Sequence, residues 1–231
     1  MPAQLAGVGA PWRTALAGGR VEVACTGRPA GDLSGDGPEV VARRAAVVAR
    51  RWVRLRQVHG ADVRVVRTAA DAGDPVAADA AVTDVHEVAL AVLTADCAPI
   101  ALGSPEGVVG VAHAGWRGLL AGVVGATVEA MAALGATSVE AVVGPCIEPA
   151  CYEFSADDLA AAVARFGPEV EGRDRLGRPA LDLPAGVAAA LGRAGACVVP
   201  GPAICTACSA DHWSWRARRD TARQATVAWQ S

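Results

Sequence analysis

The sequence predicts one α/β domain over residues 1–231, a mixed β-sheet layered with helices. Residues 88–93 and 108–112 are near-continuous apolar runs of strand length, as in central strands covered on both faces. Leu119, Leu120, Val123, Val124, Thr127, Val128, Met131 and Leu134 recur at helical spacing. No repeat or linker divides the 231 residues, a length that suits one large core.

Residues 1–19 contain a single arginine and no apolar stretch followed by a cleavage site, so a flexible N-terminus rather than a leader is expected. Val21–Cys25 alternates as a first strand, and a Gly/Pro/Asp-rich turn follows through Gly37. Asp36 and Glu39 have capping-box spacing and open a helix whose apolar positions are Val40, Val41, Val47, Val48, Trp52 and Leu55. Val63–Val66 and Ala80–Thr83 read as strands. After Gly118 the long stripe forms a helix that Gly135 ends. Residues 139–143 form a strand that leads into the turn Gly144-Pro145-Cys146. Ser155 and Asp158 cap a helix through Phe166, and a polar loop spans residues 167–179. Asp182 and Pro184 start a helix ending near Gly195, and late strands occupy 196–199 and 224–229.

Composition narrows the function. With a net charge of -3, no general basic field invites nucleic acid. All 21 basic residues are arginine, which excludes a Schiff base, a P-loop lysine and a lysine general base, while suiting phosphate or carboxylate. The most apolar run, residues 85–103, is broken by Glu87, Asp96 and Pro99 and predicts no membrane span. Seven cysteines without an even framework fit a reduced, cytoplasmic protein.

Three stretches carry the chemistry: Arg56-Gln57-Val58-His59-Gly60, Thr94-Ala95-Asp96-Cys97 and His113-Ala114-Gly115-Trp116-Arg117-Gly118. His59, Cys97 and His113 match the donors of an open zinc site, with the fourth tetrahedral position left for water or substrate. Cys97 and His113 are each expected just past the C-terminal end of a buried strand, where ligand crevices form. The same residues also describe a copper site. Four histidines are too few for a multicopper oxidase, and Met131, on a helix stripe, is no candidate for the axial ligand of a blue-copper centre. A third reading makes Cys97 a metal-free nucleophile activated by His113 or His59, as in a hydrolase or amidase. Asp96 either shuttles protons or orients a ligand histidine. Arg117, at the start of the best helix, is placed to bind phosphate, and Arg56 could reach the same crevice. Cys25 and Cys197 read as small buried hydrophobes and His86 as a turn residue. The Cys205-x-x-Cys208 pair invites a redox or second-zinc reading, but without a second such pair it reads as a reduced, partly buried pair.

In this order, RQVHG, TADC and HAGWRGL closely resemble the YfiH-like family, long labelled polyphenol oxidase or laccase-domain proteins. Ala78-Asp79-Ala80, Gly144-Pro145-Cys146-Ile147, Tyr152-Glu153-Phe154, Leu181-Asp182-Leu183 and Cys205-Thr206-Ala207-Cys208 agree as well, so the resemblance spans roughly residues 20–230. It implies a zinc-dependent enzyme of purine nucleosides that phosphorolyses adenosine, inosine and methylthioadenosine and deaminates adenosine through a zinc-activated water. The family has also been linked to cell-wall precursor editing. By the same resemblance His59, Cys97 and His113 are the zinc ligands, the partners are purine nucleosides and phosphate, and Gln57 would read a base edge. Two departures stand out. Ala217 interrupts the arginines of Trp213-Ser214-Trp215-Arg216-Ala217-Arg218-Arg219-Asp220, with Ala222-Arg223 where Gly-Arg normally follows. The loop around residues 26–34 is shortened and lacks a Leu-Asn-Leu stretch. Both bear on substrate choice and leave the three donors untouched.

Overall fold

Central strands buried along nearly their whole length organise the computed structural model, which describes residues 11–231. Strands β1 (Trp12–Leu16) and β2 (Val21–Cys25) form a hairpin, followed by α1 (Pro38–Val47), β3 (Arg51–Val53), β4 (Leu55–Arg56), β5 (Val63–Val66), β6 (Val76–Ala77) and β7 (Ala80–Thr83). The centre comprises β8 (Val88–Thr94), β9 (Ala98–Gly103), β10 (Val109–Ala114), α2 (Trp116–Ala121), α3 (Val123–Ala133) and β11 (Glu140–Val143). The last third holds α4 (Ala156–Phe166), β12 (Glu171–Arg173), β13 (Pro179–Leu181), α5 (Leu183–Arg193), β14 (Cys197–Val198), α6 (Trp215–Arg218) and β15 (Gln224–Gln230).

Two mixed sheets replace the single one expected. The first has the order β1-β2-β15-β8-β3, antiparallel except where β3 runs parallel to β8. The second, β14-β11-β9-β10-β7-β5, is antiparallel at its centre and parallel at both edges. Val88, Leu90 and Val92 of β8 pack with Ala101, Val109, Val111 and Val142 between the sheets. Ala89 and Ala91, pointing the other way, join Val47, Trp52, Ala225 and Val227. The outer face of the second sheet is covered by Leu119, Val123, Leu159 and Val187 from four helices. This gives the order helix, sheet, sheet, helices, and it explains why β8 and β10 are apolar on both faces although their neighbours are largely antiparallel. Among the described residues no helix is long and apolar enough to cross a membrane.

Several expectations change. Of the N-terminus expected to be flexible, residues 12–16 are strand β1, paired antiparallel with Val21–Cys25, while residues 1–10 lie outside the described residues. The first helix stops at Val47, because Arg51–Val53 pairs with Val88, Ala89 and Leu90 and the strand partner overrides helical periodicity. Its N-cap is Gly37, with no side-chain cap, and Asp36 forms ion pairs with Arg44 and Arg54 instead. The stripe after Gly118 is two helices, broken at Gly122 with φ 96°. Strand β9, wholly buried, was hidden by Pro99, and residues 171–181 contain a two-stranded ribbon where a loop was expected. Ser155 and Asp182 cap α4 and α5 as their positions suggest. Cys25 is buried as expected, but Cys197 is exposed on an edge strand rather than packed inside.

Candidate metal centre

Asp79 is the centre from which the site is built. It precedes β7, is fully buried, and accepts four hydrogen bonds. Its Oδ1 takes the N–H of His59 at 2.9 Å and Nδ1–H of His113 at 2.8 Å; its Oδ2 takes the N–H groups of Gly60 at 2.7 Å and Val58 at 3.1 Å. Burial alone would push this carboxyl up. The bond from His113 and the three backbone donors outweigh that and hold it down at about 2. Thus one carboxylate fixes both the loop that carries His59 and the imidazole of His113.

His59 sits at φ 61°, a left-handed backbone that a non-glycine residue adopts only when its surroundings impose it. The three N–H bonds to Asp79 impose it. His113 lies inside β10, opposite Pro99 of β9, rather than past the strand end as expected. Period-two alternation puts it on the same face as Val109 and Val111. Cys97 occupies the short turn between β8 and β9. The donor atoms of His59, Cys97 and His113 all lie within 4.8 Å of one another, with Cys97 Sγ 3.7 Å from His59 Nε2. The two imidazoles meet edge-to-face at 4.8 Å between centroids.

These residues fit a metal. Bond lengths of about 2.05 Å to nitrogen and 2.3 Å to sulfur, at a tetrahedral angle, separate N and S by roughly 3.6 Å. With Nδ1 of His113 committed to Asp79, its Nε2 is the free donor, and the carboxylate fixes tautomer and ring orientation. Gly115 completes the cradle: a Cβ there would stand 2.6 Å from Cδ2 of His59 and 3.0 Å from Sγ of Cys97. Burial pushes the Cys97 thiol up, but hydrogen bonds and charge from His113 and His59 more than reverse this, to about 6. His113 moves the other way: burial lowers it, and Asp79 and Cys97 raise it to about 9. Each of the two therefore favours the charged form of the other.

The other expected residues divide. Asp96 is adjacent to Cys97 at φ 104°, yet its carboxylate accepts from Thr206 Oγ1 at 2.7 Å and from the Arg216 N–H at 2.6 Å. Orienting a ligand histidine, one role considered for Asp96, is filled by Asp79. The amide of Gln57 is engaged by backbone: its Nε2 donates to the Leu93 carbonyl at 2.8 Å and its Oε1 accepts the Leu93 N–H at 2.9 Å, stitching the His59 loop to β8. Arg56 is exposed on β4. Arg117 is exposed on α2, its guanidinium 4.4 Å from the Trp116 ring. Beyond it runs an aromatic row that sequence reasoning did not assign: Trp116 packs on Phe154 at 5.2 Å, and Phe154 on Tyr152 at 5.3 Å. Arg216 caps the row, 4.8 Å over the Tyr152 ring. Trp116 directly follows Gly115, which abuts the His59 ring and the Cys97 sulfur, so this row borders the cluster. Desolvation raises the Tyr152 hydroxyl above its ordinary value, with Cys97 and Asp96 adding and Arg216 and Arg117 opposing. His86, on the far side, bonds the C-terminal Ser231 carbonyl.

Fold and cluster together define a candidate metalloprotein of the mixed α/β class, with an aromatic and arginine-lined flank. The chain belongs to the YfiH-like, laccase-domain family: residues 16–231 match the family model described as multi-copper polyphenol oxidoreductase laccase. It is 46% identical over 196 residues to a purine nucleoside phosphorylase of Streptomyces coelicolor, covering 83% of this chain and 80% of that one. A purine nucleoside phosphorylase of Streptomyces griseus is 42% identical, covering 94% of this chain and 97% of the relative. Among solved structures, the Neisseria meningitidis protein NMB0706 superposes with a TM-score of 0.78 at 31% identity, covering 92% and 95% of the two chains.

Proposed function

We propose that this protein is a zinc-dependent cytoplasmic purine nucleoside phosphorylase that also deaminates adenosine. The observation that carries the reading is the His59, Cys97 and His113 cluster, held on buried Asp79 beside the Trp116, Phe154 and Tyr152 row. The names of the Streptomyces relatives point to the substrate class. Zinc held there would supply Lewis acidity and acidify a water, the chemistry that deamination at C6 of adenosine requires. Phosphorolysis needs a phosphate oxygen to attack C1′ as the bond to the purine nitrogen breaks. Arg117, on α2 beside Trp116, would hold the phosphate through charge-assisted bonds, and Arg216 adds positive charge at the Tyr152 end of the aromatic row. The row itself offers faces on which a purine stacks, and adenosine, inosine and methylthioadenosine share that requirement. Asp96 remains a candidate for proton transfer at the site edge, through the loop it anchors.

A second reading has a specific observation behind it. His113 and His59 hold the Cys97 thiol below its ordinary value, which would suit it as the activated nucleophile of a metal-free cysteine hydrolase. One experiment separates the two: metal analysis of the purified protein, with product identification after incubation with adenosine, with and without phosphate. Stoichiometric zinc, with adenine and ribose 1-phosphate formed only when phosphate is present, supports the phosphorylase. Cys97→Ala should then lose the zinc of this cluster together with turnover. Activity persisting in the chelator-treated protein would overturn the zinc reading, and bound copper would replace zinc by the metal of the family's older label.

A further inference from the structure

Away from this cluster, a second set of soft donors converges. Cys205 and Cys208 lie in one tight turn, where the Cys205 carbonyl accepts the N–H groups of Cys208 at 3.2 Å and Ser209 at 3.0 Å. Cys151 ends the single 3-10 turn Pro149–Cys151 on a different segment. The three sulfurs lie within 4.8 Å of one another, with Sγ of Cys151 3.2 Å from Sγ of Cys208. Cys205 is buried, Cys151 half-buried and Cys208 exposed, so the group opens to solvent on one side. Arg175 closes that side: its Nη2 donates to the Cys208 sulfur at 2.9 Å, and its backbone N–H bonds the Ala150 carbonyl at 3.2 Å.

A CxxC turn alone is weak evidence for a metal, because a reduced pair is commoner. The third sulfur, brought in from a distant segment, and the guanidinium change that balance. Three sulfurs within 4.8 Å of one another, drawn from two separate segments, match the soft donor set of a thiophilic dication. We propose that Cys151, Cys205 and Cys208 form a second metal site, a trithiolate pocket that takes one thiophilic divalent ion of the zinc class with Arg175 as counter-charge. Three thiolates, a dication and a guanidinium sum to neutrality, and the fourth tetrahedral position is left to water. Thr206, inside the turn, donates to Asp96 at 2.7 Å, and Cys151 directly precedes Tyr152. The second ion thereby braces two elements that border the first cluster, a structural role distinct from turnover.

The test uses the full chain, kept reduced, stripped with chelator and titrated with zinc, then with cadmium. Wild type should retain two zinc ions per chain after desalting, and Cys208→Ala and Cys97→Ala one each. In the Cys97→Ala background no thiolate remains at the first cluster, so a sulfur-to-cadmium absorption band that also requires Cys208 comes from the second site rather than from exposed Cys197. That band should persist in Cys97→Ala and vanish in the Cys97→Ala, Cys208→Ala double variant. Because it is read with the first cluster disabled, the outcome does not depend on the proposed enzyme activity. Wild type holding no more zinc than Cys208→Ala, or no cadmium band in Cys97→Ala, would overturn the site. So would a Cys151–Cys208 disulfide found by peptide mapping in protein purified without reductant, together with a single bound zinc, since that identifies a redox pair.

Discussion

Replacing Asp79 by Asn removes a charge while keeping shape, and the geometry sets the size of the effect. Asparagine's carbonyl can stand in for Oδ1 and keep the donors of His59 and His113. Its NH2 must then face the N–H groups of Gly60 and Val58, which now bond Oδ2 at 2.7 and 3.1 Å. Two donors lose their acceptor, each worth about 1–3 kcal/mol, so the loss is roughly 2–6 kcal/mol. Gly60 and Val58 border solvent, which favours the lower half of that range. Against a total of about 5–15 kcal/mol for a domain, the variant should fold but unfold at clearly lower denaturant. The loop would also release His59 from its left-handed backbone, and His113 would lose its charged partner. Zinc affinity should therefore fall by about 10–100-fold. Urea unfolding of chelator-treated protein gives the first quantity, and zinc competition against a chromophoric chelator gives the second. Coincident unfolding curves together with an affinity within about threefold of wild type would refute the assignment of Asp79 as organiser of both ligands.

Three further outcomes follow from the same geometry. Gly115→Ala puts a Cβ 2.6 Å from the His59 ring, so zinc affinity should drop by about tenfold or more; its φ of -72° suits alanine, so stability should hold, and unchanged affinity in the same competition assay would refute the contact. Arg117→Ala should lower phosphorolysis more than deamination, by about one to two decades, the equivalent of roughly 1.5–3 kcal/mol for one charge-assisted bond. Equal losses in kcat/KM for both reactions would mean that Arg117 orients the nucleoside instead. Burial pushes Asp220 up, but bonds from the Ser214 N–H, Arg218 and Arg28 outweigh it and hold the carboxyl below its ordinary value of 3.8. A depressed folded value stabilises above the unfolded one and is lost as pH falls through it, so Asp220→Asn should be less stable than wild type near neutrality and converge with it in acid. Urea midpoints across that range check this, and a gap that persists in acid would contradict it.

The sequence by itself determined what is local. Ser155 and Asp182 each bond an N–H three residues ahead, so their helix starts follow from residue order alone. The apolar runs of β8 and β10 marked buried strands, and three scattered donors marked a cluster that could hold a metal, because ligand chemistry is a property of side-chain type. Tertiary structure decided everything that depends on partners distant in the chain. Arg51–Val53 became a strand only because β8 lies beside it. Asp79 looked like one acidic residue among many until the sheet set it against His113 and the His59 loop. Gln57, read as a base contact, is tied to Leu93 by pairing that no periodicity encodes. Cys151 joins Cys205 and Cys208 only in the folded chain. Local hydrogen bonds and hydrophobic periodicity are written in neighbouring residues, whereas the bonds that build the site close long loops and exist only after the two sheets have packed.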